Sequence, residues 1–251
     1  MSAFLRIAAA ALAVMFLTAP GTAAMDAAQK QEIETIVRDY LLANPEVLEE
    51  AFKILQDKRA KEEASKQAEA VAKSGDLLFN SPHQMVLGNP EGAITLVEFF
   101  DYNCGYCKRA VPDMMALIEA NPDLRIVMKE FPILSEGSVE AARMSVALKD
   151  TNPEKYLAFH QELFSRPGVV NGAKALEVAK DLGLDVDKLK AAAGATEVSG
   201  NITEVHELAK TLGITGTPSY VIGTEVVPGA LGFDALQAKV AAFRECGASI
   251  C

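Results

Sequence analysis

Apolar residues near the start of the chain recur every three or four positions, which is the spacing of one face of an α-helix. A first stripe consists of Ile33, Ile36, Val37, Tyr40 and Leu41, and a second of Leu48, Ala51, Phe52 and Leu55. Asn44 and Pro45 stand between the two stripes. Because Asn is a favoured N-cap and Pro suits the first helical position, this pair predicts that a second helix begins there.

From about residue 58 to residue 75 the chain is rich in Ala, Lys, Glu and Gln and has few large apolar side chains. This composition predicts an exposed helical stalk or linker. Two partners stay open for the apolar stripes that precede it. The stripes pack either on the domain that follows or, since the polar stretch separates them from that domain, on a second copy of the chain. The second interpretation predicts a homo-oligomer.

A different pattern begins at about residue 93. Residues 94–100 are an apolar run typical of a buried strand. The elements predicted after it are helix 108–120, strand 124–131, helices within 138–211, strands 219–223 and 225–229, and helix 233–244. A strand–helix–strand unit implies a parallel pair of strands with a right-handed crossover. The pattern therefore predicts an α/β domain with a long helical segment between two groups of strands.

Residues 1–24 have the layout of a secretory signal peptide. Arg6 is their only charged residue, and residues 7–17 form an unbroken apolar run that Pro20 ends. This run is shorter than the ~20 residues that a membrane-spanning helix needs, which disfavours the alternative of an uncleaved anchor. The mature chain is then expected to be soluble and exported, with the periplasm as its location.

The charge of the chain limits its partners. The full sequence has a formal net charge of −10, and removal of Arg6 with the signal peptide makes it −11. An acidic protein of this kind has no basic face for nucleic acid and is repelled by anionic lipid. We therefore expect no nucleic-acid partner.

Two of the four cysteines, Cys104 and Cys107, stand where the predicted strand 94–100 leads into the predicted helix 108–120. Free N–H groups and the dipole at a helix N-terminus stabilise an anion, so this position favours the thiolate of the first cysteine. Cys104 is therefore the predicted nucleophile. Cys107, one turn further along the helix, is the thiol predicted to resolve the mixed disulfide.

Two other interpretations of this Cys-x-x-Cys motif stay open. One is half of a zinc site, although the remaining candidate ligands form no second Cys-x-x-Cys pair. Those candidates are Cys246, Cys251, His83, His160 and His206. The other is an inert structural disulfide, which fits poorly with a position directly after a buried strand. We therefore predict no metal and no cofactor.

Two further positions are candidates for a role in the same chemistry. Glu98 lies in the apolar strand, six residues before Cys104. It is either a solvated edge residue or a buried acid with a raised pKa that exchanges protons with Cys107. Thr217 and Pro218 precede the predicted strand 219–223, and their peptide bond is either part of an ordinary trans turn or cis.

Taken together, the segment that contains Cys104 and Cys107 and the segment that contains Thr217 and Pro218 resemble the DsbA-like branch of the thioredoxin superfamily. The matching segments are residues 96–107 and 213–222, within a similarity that extends from about residue 88 to residue 243. The resemblance implies a thioredoxin fold with a helical domain inserted at about residues 138–211. It also implies that Pro218 is cis beside the cysteines, that Thr217 hydrogen-bonds the substrate backbone, and that Glu98 is a buried proton-transfer acid.

Within this branch the chain departs from the oxidase pattern, which has Cys-Pro-His-Cys and a Val before the cis proline. Gly105 and Tyr106 between the cysteines, together with Thr217, resemble the periplasmic disulfide isomerases instead. The resemblance makes Gly105, Tyr106, Thr217 and Pro218 the expected substrate contacts. It implies isomerisation or reduction of wrong disulfides in exported proteins, and a membrane-bound redox partner that is a reductase rather than an oxidase.

Residues 32–59 resemble the N-terminal helices of ScsC-type (suppressor of copper sensitivity) proteins, some of which self-associate through them. The predicted organisation is a signal peptide at 1–24, a helical oligomerisation region and linker at 25–80, and a DsbA-like thioredoxin domain at 81–251.

Cys246 and Cys251 are a candidate structural disulfide, with a second redox couple or a Cu(I) site as alternatives. Three other functions stay open beside the isomerase. They are a dithiol oxidase, a copper-binding or copper-tolerance protein, and a holdase chaperone that uses the N-terminal helices.

Overall fold

The computed structural model describes residues 25–249 and Cys251. The signal peptide predicted for residues 1–24 lies outside the described residues. The chain is divided into two compact units, an N-terminal unit that ends at Lys58 and a C-terminal unit that begins at Arg59. Among the described residues, no helix is both long enough and apolar enough to cross a membrane.

The N-terminal unit contains helix α1 (Ala27–Ala43) and the beginning of helix α2 (Glu46–Lys73). A capping box starts α1. The Asp26 carboxylate accepts from the Gln29 N–H at 2.8 Å, and the Asp26 N–H donates to the Gln29 side chain at 3.1 Å. This exchange satisfies N–H groups that would otherwise have no partner at the helix start.

Asn44, which the sequence predicted as the N-cap of the second helix, is the C-cap of α1. Its N–H and its side-chain amide both donate to the Tyr40 carbonyl at 2.9 Å. Its own carbonyl accepts from the Val47 N–H at 3.2 Å, where α2 begins. None of the residues of α1 is buried. The exposed members of the two predicted stripes are Ile33, Ile36, Val37, Tyr40, Leu48, Ala51, Phe52 and Leu55.

The remainder of α2 and helix α3 (Gly75–Phe79) belong to the C-terminal unit. The domain boundary at residue 80 stays a prediction. Val71 and Leu78 are buried in a cluster with apolar side chains of the sheet. The ammonium of Lys129 and the guanidinium of Arg125 donate to two carbonyls of α3, at 2.6 and 2.7 Å. These contacts attach the end of α2 and helix α3 to the domain, and the composition of the segment did not predict them.

A five-stranded sheet forms the centre of the C-terminal unit. Its strands are β1 (Met85–Gly88), β2 (Ile94–Phe100), β3 (Leu124–Glu130), β4 (Ser219–Ile222) and β5 (Glu225–Pro228). The order across the sheet is β1-β3-β2-β4-β5. β2 and β3 are parallel, and the other pairs are antiparallel. The four strands predicted from the sequence are confirmed, whereas the short edge strand β1 was not predicted.

The helices of this unit lie on both faces of the sheet. The remaining helices are α4 (Gly105–Ala120), α5 (Glu136–Thr151), α6 (Tyr156–Ser165), α7 (Gly172–Asp181), α8 (Val186–Ala193), α9 (Thr196–Thr211) and α10 (Phe233–Cys246). Five of them, α5–α9, follow β3 and precede β4 along the chain. α4 and α10 pack together and against the sheet, whereas α3 and α9 pack against each other and the sheet through a separate cluster. Helices α5–α9 confirm the helical segment predicted at 138–211.

Alternation along β2 determines which side chain meets which face. Leu96 and Phe100 belong to the core cluster that also contains both thiols, whereas Val97 and Phe99 belong to the cluster formed with α9. Successive side chains of a strand point to opposite faces. Glu98, between Val97 and Phe99, therefore points to the face on which the cysteines lie.

Candidate active site

Cys104 is the N-cap of α4, at the point where the chain leaves β2. Its backbone is extended, with φ −80° and ψ 114°, and its N–H donates to the Asp101 carbonyl at 2.9 Å. Its sulfur accepts from the Cys107 N–H at 3.4 Å, which is the capping contact of the helix. Both cysteines are free thiols, 7% exposed at Cys104 and 1% exposed at Cys107. Cys104 is thus the thiol that faces a helix N-terminus and retains some access to solvent.

Thr217 and Pro218, more than a hundred residues further along the chain, lie beside this cysteine. Their peptide bond is cis. The Cys104 thiol donates to the Thr217 carbonyl at 3.1 Å. The Thr217 hydroxyl oxygen is buried and has no hydrogen-bond partner among the described residues. A cavity of about 270 Å³ lies on this side of the site, lined largely by the segment 213–219.

Glu98 is buried in β2, with 3% of its surface exposed. It stands between Met128 of β3 and Tyr220 of β4 in the sheet register. One carboxyl oxygen, Oε2, has no hydrogen-bond partner among the described residues. Burial raises the pKa of Glu98 to about 8. The carboxyl group is therefore mostly protonated at neutral pH.

The second thiol has a related environment. Burial is the main cause that raises the pKa of Cys107, and the neighbouring Glu98 carboxylate raises it further. Cys107 is therefore kept as a neutral thiol until a base removes its proton. Glu98, with a pKa of about 8, is the neighbouring carboxyl group that acts on this thiol, so the two form a candidate proton-exchanging pair.

Gly105 and Tyr106, the residues between the cysteines, form the first turn of α4 on the protein surface. Tyr106 is 61% exposed, and the Arg109 guanidinium lies over its ring at 4.3 Å from the centroid. This cation–π contact orients the ring while leaving its other face open to solvent. The two spacer residues thus border the thiol as a surface that a bound chain can contact.

Asp101 and Asn103 lie next to the site, and the sequence predicted no role for either of them. The buried Asp101 carboxylate accepts from the Asn103 N–H at 2.7 Å and from the Ile133 and Leu134 N–H groups at 2.8 and 3.0 Å. These bonds hold the β3–α5 loop against the segment that carries Cys104. The available signal was two short polar side chains directly after an apolar strand.

A buried polar network behind the site was also missed. Tyr156 and Ser145 donate to Oε1 of Glu130 at 3.0 and 2.8 Å. The single hydrogen of the Ser145 hydroxyl is used in its bond to Glu130, so the Tyr102 hydroxyl is the donor in the 2.8 Å bond between Tyr102 and Ser145. His160 Nδ1 lies 3.2 Å from the Tyr102 oxygen and is then the donor there.

In this direction the His160 ring carries a proton on Nδ1. Burial lowers the pKa of His160 to about 3, so its ring is neutral. The network joins Tyr102, the residue two before Cys104, to helices α5 and α6 and to the end of β3. It therefore attaches the helical segment to the sheet next to the thiols, and each of its bonds is worth about 1 kcal/mol of stability.

Cys246 and Cys251 form a disulfide at the end of α10, with Cα atoms 6.1 Å apart. Both residues are exposed, and neither lines the cavities next to Cys104. Within residues 25–249 and Cys251, no three His, Cys, Asp or Glu side chains are grouped so as to hold a metal ion.

Comparison with known proteins places both parts of the chain. Residues 95–241 match the DSBA-like thioredoxin domain, and residues 29–62 match the N-terminal domain of the copper resistance protein ScsC. The first curated relatives are Na+/H+ antiporters NhaA of Salinispora species, with 24% identity over 155 residues. The chain spans 24% of the length of these relatives.

Several solved structures are similar over most of their own length. A thioredoxin-like oxidoreductase of Silicibacter pomeroyi is 44% identical, with a TM-score of 0.65, and the match covers 68% of this chain and 98% of that one. Proteus mirabilis ScsC in a transitional conformation is 34% identical, with a TM-score of 0.62 and coverage of 85% and 95%. A periplasmic thioredoxin-like protein of Salmonella enterica serovar Typhimurium is 30% identical, with a TM-score of 0.60 and coverage of 66% and 93%.

The two domain matches follow each other along the chain, first residues 29–62 and then residues 95–241. The chain therefore belongs to the DsbA-like thioredoxin family, and it combines the thioredoxin fold of that family with the N-terminal domain of ScsC.

Proposed function

We propose that the chain is a periplasmic thiol–disulfide oxidoreductase that isomerises or reduces non-native disulfides in exported proteins. One observation carries the proposal. The Cys104 sulfur caps helix α4 and lies 3.1 Å from the Thr217 carbonyl, with Cys107 one turn behind it in a buried position. This arrangement offers one attacking thiol, one resolving thiol and a backbone edge for the substrate in the same place.

In the first step the Cys104 thiolate attacks one sulfur of a substrate disulfide. The substrate S–S bond breaks, a mixed disulfide forms between Cys104 and the substrate, and the other substrate sulfur leaves as a thiolate that takes up a proton. The free N–H groups at the start of α4 stabilise the attacking anion.

Two routes lead on from the mixed disulfide. For isomerisation, another substrate thiolate attacks the substrate sulfur, a new substrate disulfide forms, and Cys104 leaves as the thiolate. For reduction, the Cys107 thiolate attacks the Cys104 sulfur, the substrate leaves as a thiol, and the protein keeps a Cys104–Cys107 disulfide. That disulfide then needs two electrons and two protons from a dithiol reductase, for which a membrane-bound partner is proposed.

Glu98 is proposed to move the proton of the resolving thiol. The attack by Cys107 requires loss of its proton, and burial makes this loss unfavourable. A deprotonated Glu98 accepts the proton, and the same carboxyl group returns it when Cys107 leaves as a thiolate in the reverse direction. Its pKa of about 8 makes both charge states accessible near neutral pH.

Thr217 is proposed to bind the substrate backbone. In the dithiol form its carbonyl is occupied by the Cys104 thiol. A thiolate or a mixed disulfide has no S–H to donate, so the carbonyl becomes free to accept from a substrate N–H. Formation of the mixed disulfide thus releases a hydrogen-bond acceptor for the chain being bound. Pro218 adjoins it, and Gly105 and Tyr106 border the other side of the sulfur.

The N-terminal unit is proposed to join two or more copies of the chain. Its apolar side chains form regular stripes, and most of them are exposed, which a solvated helix has no reason to maintain. A second copy carries the same stripe and satisfies it symmetrically. Several thiol sites held in one particle favour isomerisation, because one misfolded substrate can react at more than one of them.

We expect the mature chain to be an oligomer that dissociates when a charged residue is placed in each apolar stripe. Val37→Glu with Phe52→Glu places a carboxylate in each stripe, and the mass in solution, measured by sedimentation equilibrium, should fall to that of the monomer. Thr35→Glu with Lys53→Glu changes two other exposed positions of the same helices and serves as the control. A parent protein that is already a monomer would contradict the oligomer.

Copper tolerance is the second candidate function, since residues 29–62 match the N-terminal domain of a copper resistance protein. Thiols are soft ligands that suit Cu(I). Cu(I) titration of the parent protein against Cys104→Ser and Cys246→Ser separates the two functions. Tight stoichiometric binding without disulfide turnover would favour copper tolerance over the oxidoreductase.

Direction of electron flow separates the isomerase or reductase from a dithiol oxidase. Fast oxidation of a reduced, unfolded ribonuclease by the disulfide form of the protein, without rearrangement of wrong disulfides, would favour the oxidase. The spacer Gly105-Tyr106 and Thr217 support the isomerase, since they resemble isomerases rather than the oxidase pattern.

A further inference from the structure

The side chain of Asn103, directly before Cys104, spans the gap between the redox motif and the inserted helices. Its Oδ1 accepts from the Val170 N–H at 2.7 Å, and its Nδ2 donates to the Val170 carbonyl at 2.8 Å. Nδ2 also donates to the Ser138 hydroxyl at 2.9 Å and lies 3.3 Å from the Ser135 hydroxyl. This two-point pairing determines the orientation of the amide and holds one backbone position of the insertion beside the nucleophile.

The segment held in this way is the connection between α6 and α7, residues 166–171, which we call the α6–α7 loop. It is also confined from the opposite side. A Cβ atom at Gly137 of α5 would lie 2.7 Å from the Val170 carbonyl oxygen and 3.2 Å from the Asn171 Cβ. The loop thus lies between Asn103 on one side and Gly137 on the other, where the two backbones come close because glycine has no Cβ atom.

The α6–α7 loop supplies part of a cavity of about 210 Å³ next to the nucleophile. Cys104 and Lys108 line the cavity from the redox motif and α4, and Phe164, Arg166 and Val170 line it from the insertion. This cavity is separate from the one lined by residues 213–219. Cys104 lines the cavity formed with the loop, whereas the other cavity is formed by the segment whose Thr217 carbonyl lies 3.1 Å from the sulfur.

We propose that the α6–α7 loop is the second wall of the substrate site and that Asn103 is the positioning residue that holds it there. The proposal rests on the oxidoreductase function and names the part of the site that distinguishes a polypeptide disulfide from a small-molecule disulfide. A polypeptide continues on both sides of its reacting cysteine. One side pairs with the backbone at Thr217, and the side chain next to the cysteine on the other side lies in the cavity formed with the loop.

The physical role of Asn103 follows from the hydrogen bonds that would be lost without its side chain. Without the amide, the N–H and carbonyl of Val170 lose these partners, and this part of the loop is held less firmly beside the nucleophile. A polypeptide must then order the loop when it binds, which weakens binding. A small disulfide that touches only the sulfur does not need this wall, so the two substrate classes should respond differently.

The test measures selectivity in Asn103→Leu, which keeps the branched shape of the side chain and removes its hydrogen bonds. Selectivity is the ratio of kcat/KM for a peptide disulfide to the rate constant for bis(2-hydroxyethyl) disulfide. We expect this ratio to fall about tenfold, through KM for the peptide, as expected for the loss of one or two hydrogen bonds. Asn89→Leu is the matched control, because its amide also bonds to backbone, at the Pro122 carbonyl and the Glu91 N–H.

Gly137→Ala is a second variant that leaves Asn103 unchanged and pushes the α6–α7 loop from the other side. It should lower the same ratio, and it carries the test if Asn103→Leu does not fold. An unchanged ratio in the folded variants, or an equal loss for both substrates, would overturn the inference while the oxidoreductase function stands. If the parent protein reacts with neither disulfide, both the function and the inference fail.

Discussion

Replacement of Cys104 with serine is expected to lower the rate of disulfide rearrangement by at least about a thousandfold, because a hydroxyl at this position is not ionised and does not form a mixed disulfide. The structure gives the reason for assigning the step to this residue alone. Cys104 is the cysteine at the helix N-terminus and beside the Thr217 carbonyl, whereas Cys107 is almost completely buried. Turnover of a scrambled ribonuclease measures the loss.

The second cysteine pair provides the control for this prediction. Cys246 and Cys251 are bonded to each other in an exposed position away from both cavities beside Cys104. Replacement of both with serine should leave the rate within about twofold of the parent rate, as expected for surface substitutions remote from the site. Activity that survives Cys104→Ser, or is lost with the C-terminal pair, would transfer the redox function to the other two cysteines.

Glu98→Gln is expected to change how stability depends on pH. The pKa of Glu98 is about 8 in the folded protein and near 4.5 as an ordinary carboxyl group. Between these values the folded protein holds a proton that the unfolded chain has lost, so stability falls as pH rises. The loss is about 1.4 kcal/mol per pH unit, on the order of 4–5 kcal/mol across the whole window.

Glutamine removes this dependence because it does not titrate. The free energy of unfolding, measured in denaturant at pH 5 and pH 9, should therefore shift in favour of Glu98→Gln by several kcal/mol between the two pH values, given the linkage above. Glu91→Gln, at an exposed position in the turn before β2, should not shift it. An equal pH dependence in the parent protein and Glu98→Gln would show that the Glu98 pKa is not raised.

The same substitution separates a proton-transfer role from a structural one. The attack of Cys107 on the mixed disulfide should accelerate as pH rises towards 8, where Glu98 becomes a base, and then level off. Glu98→Gln should lose this inflection and slow the step by about a hundredfold, which is the lower part of the range for general acid–base catalysis. Rapid-mixing measurements of substrate release as a function of pH report this step.

The redox motif could be predicted from the sequence because its parts are contiguous. An apolar strand, a Cys-x-x-Cys motif and a helix follow one another within residues 94–120, and local pattern was enough to identify them. Pro218 and Thr217 required the resemblance to a family, because no local pattern links them to Cys104. The fold brings these segments together across 113 residues of sequence separation.

The polar framework around the site could not be predicted for a different reason. Asn103 pairs with Val170 and Asp101 with the loop at Ile133, so each contact depends on tertiary placement. Tyr102 and His160 likewise meet only because α6 packs against the end of β2. Single polar residues in apolar surroundings were visible in the sequence, but their partners were not.

The most direct test of the central claim is to mix Cys107→Ser with a peptide that contains one disulfide and to measure whether a covalent adduct forms. This variant keeps the attacking thiol and removes the resolving one, so a covalent adduct should accumulate. Mass spectrometry after digestion should locate the peptide on Cys104, in a mixed disulfide that dithiothreitol releases. Absence of an adduct at Cys104 would contradict the proposal that this chain exchanges disulfides through that sulfur.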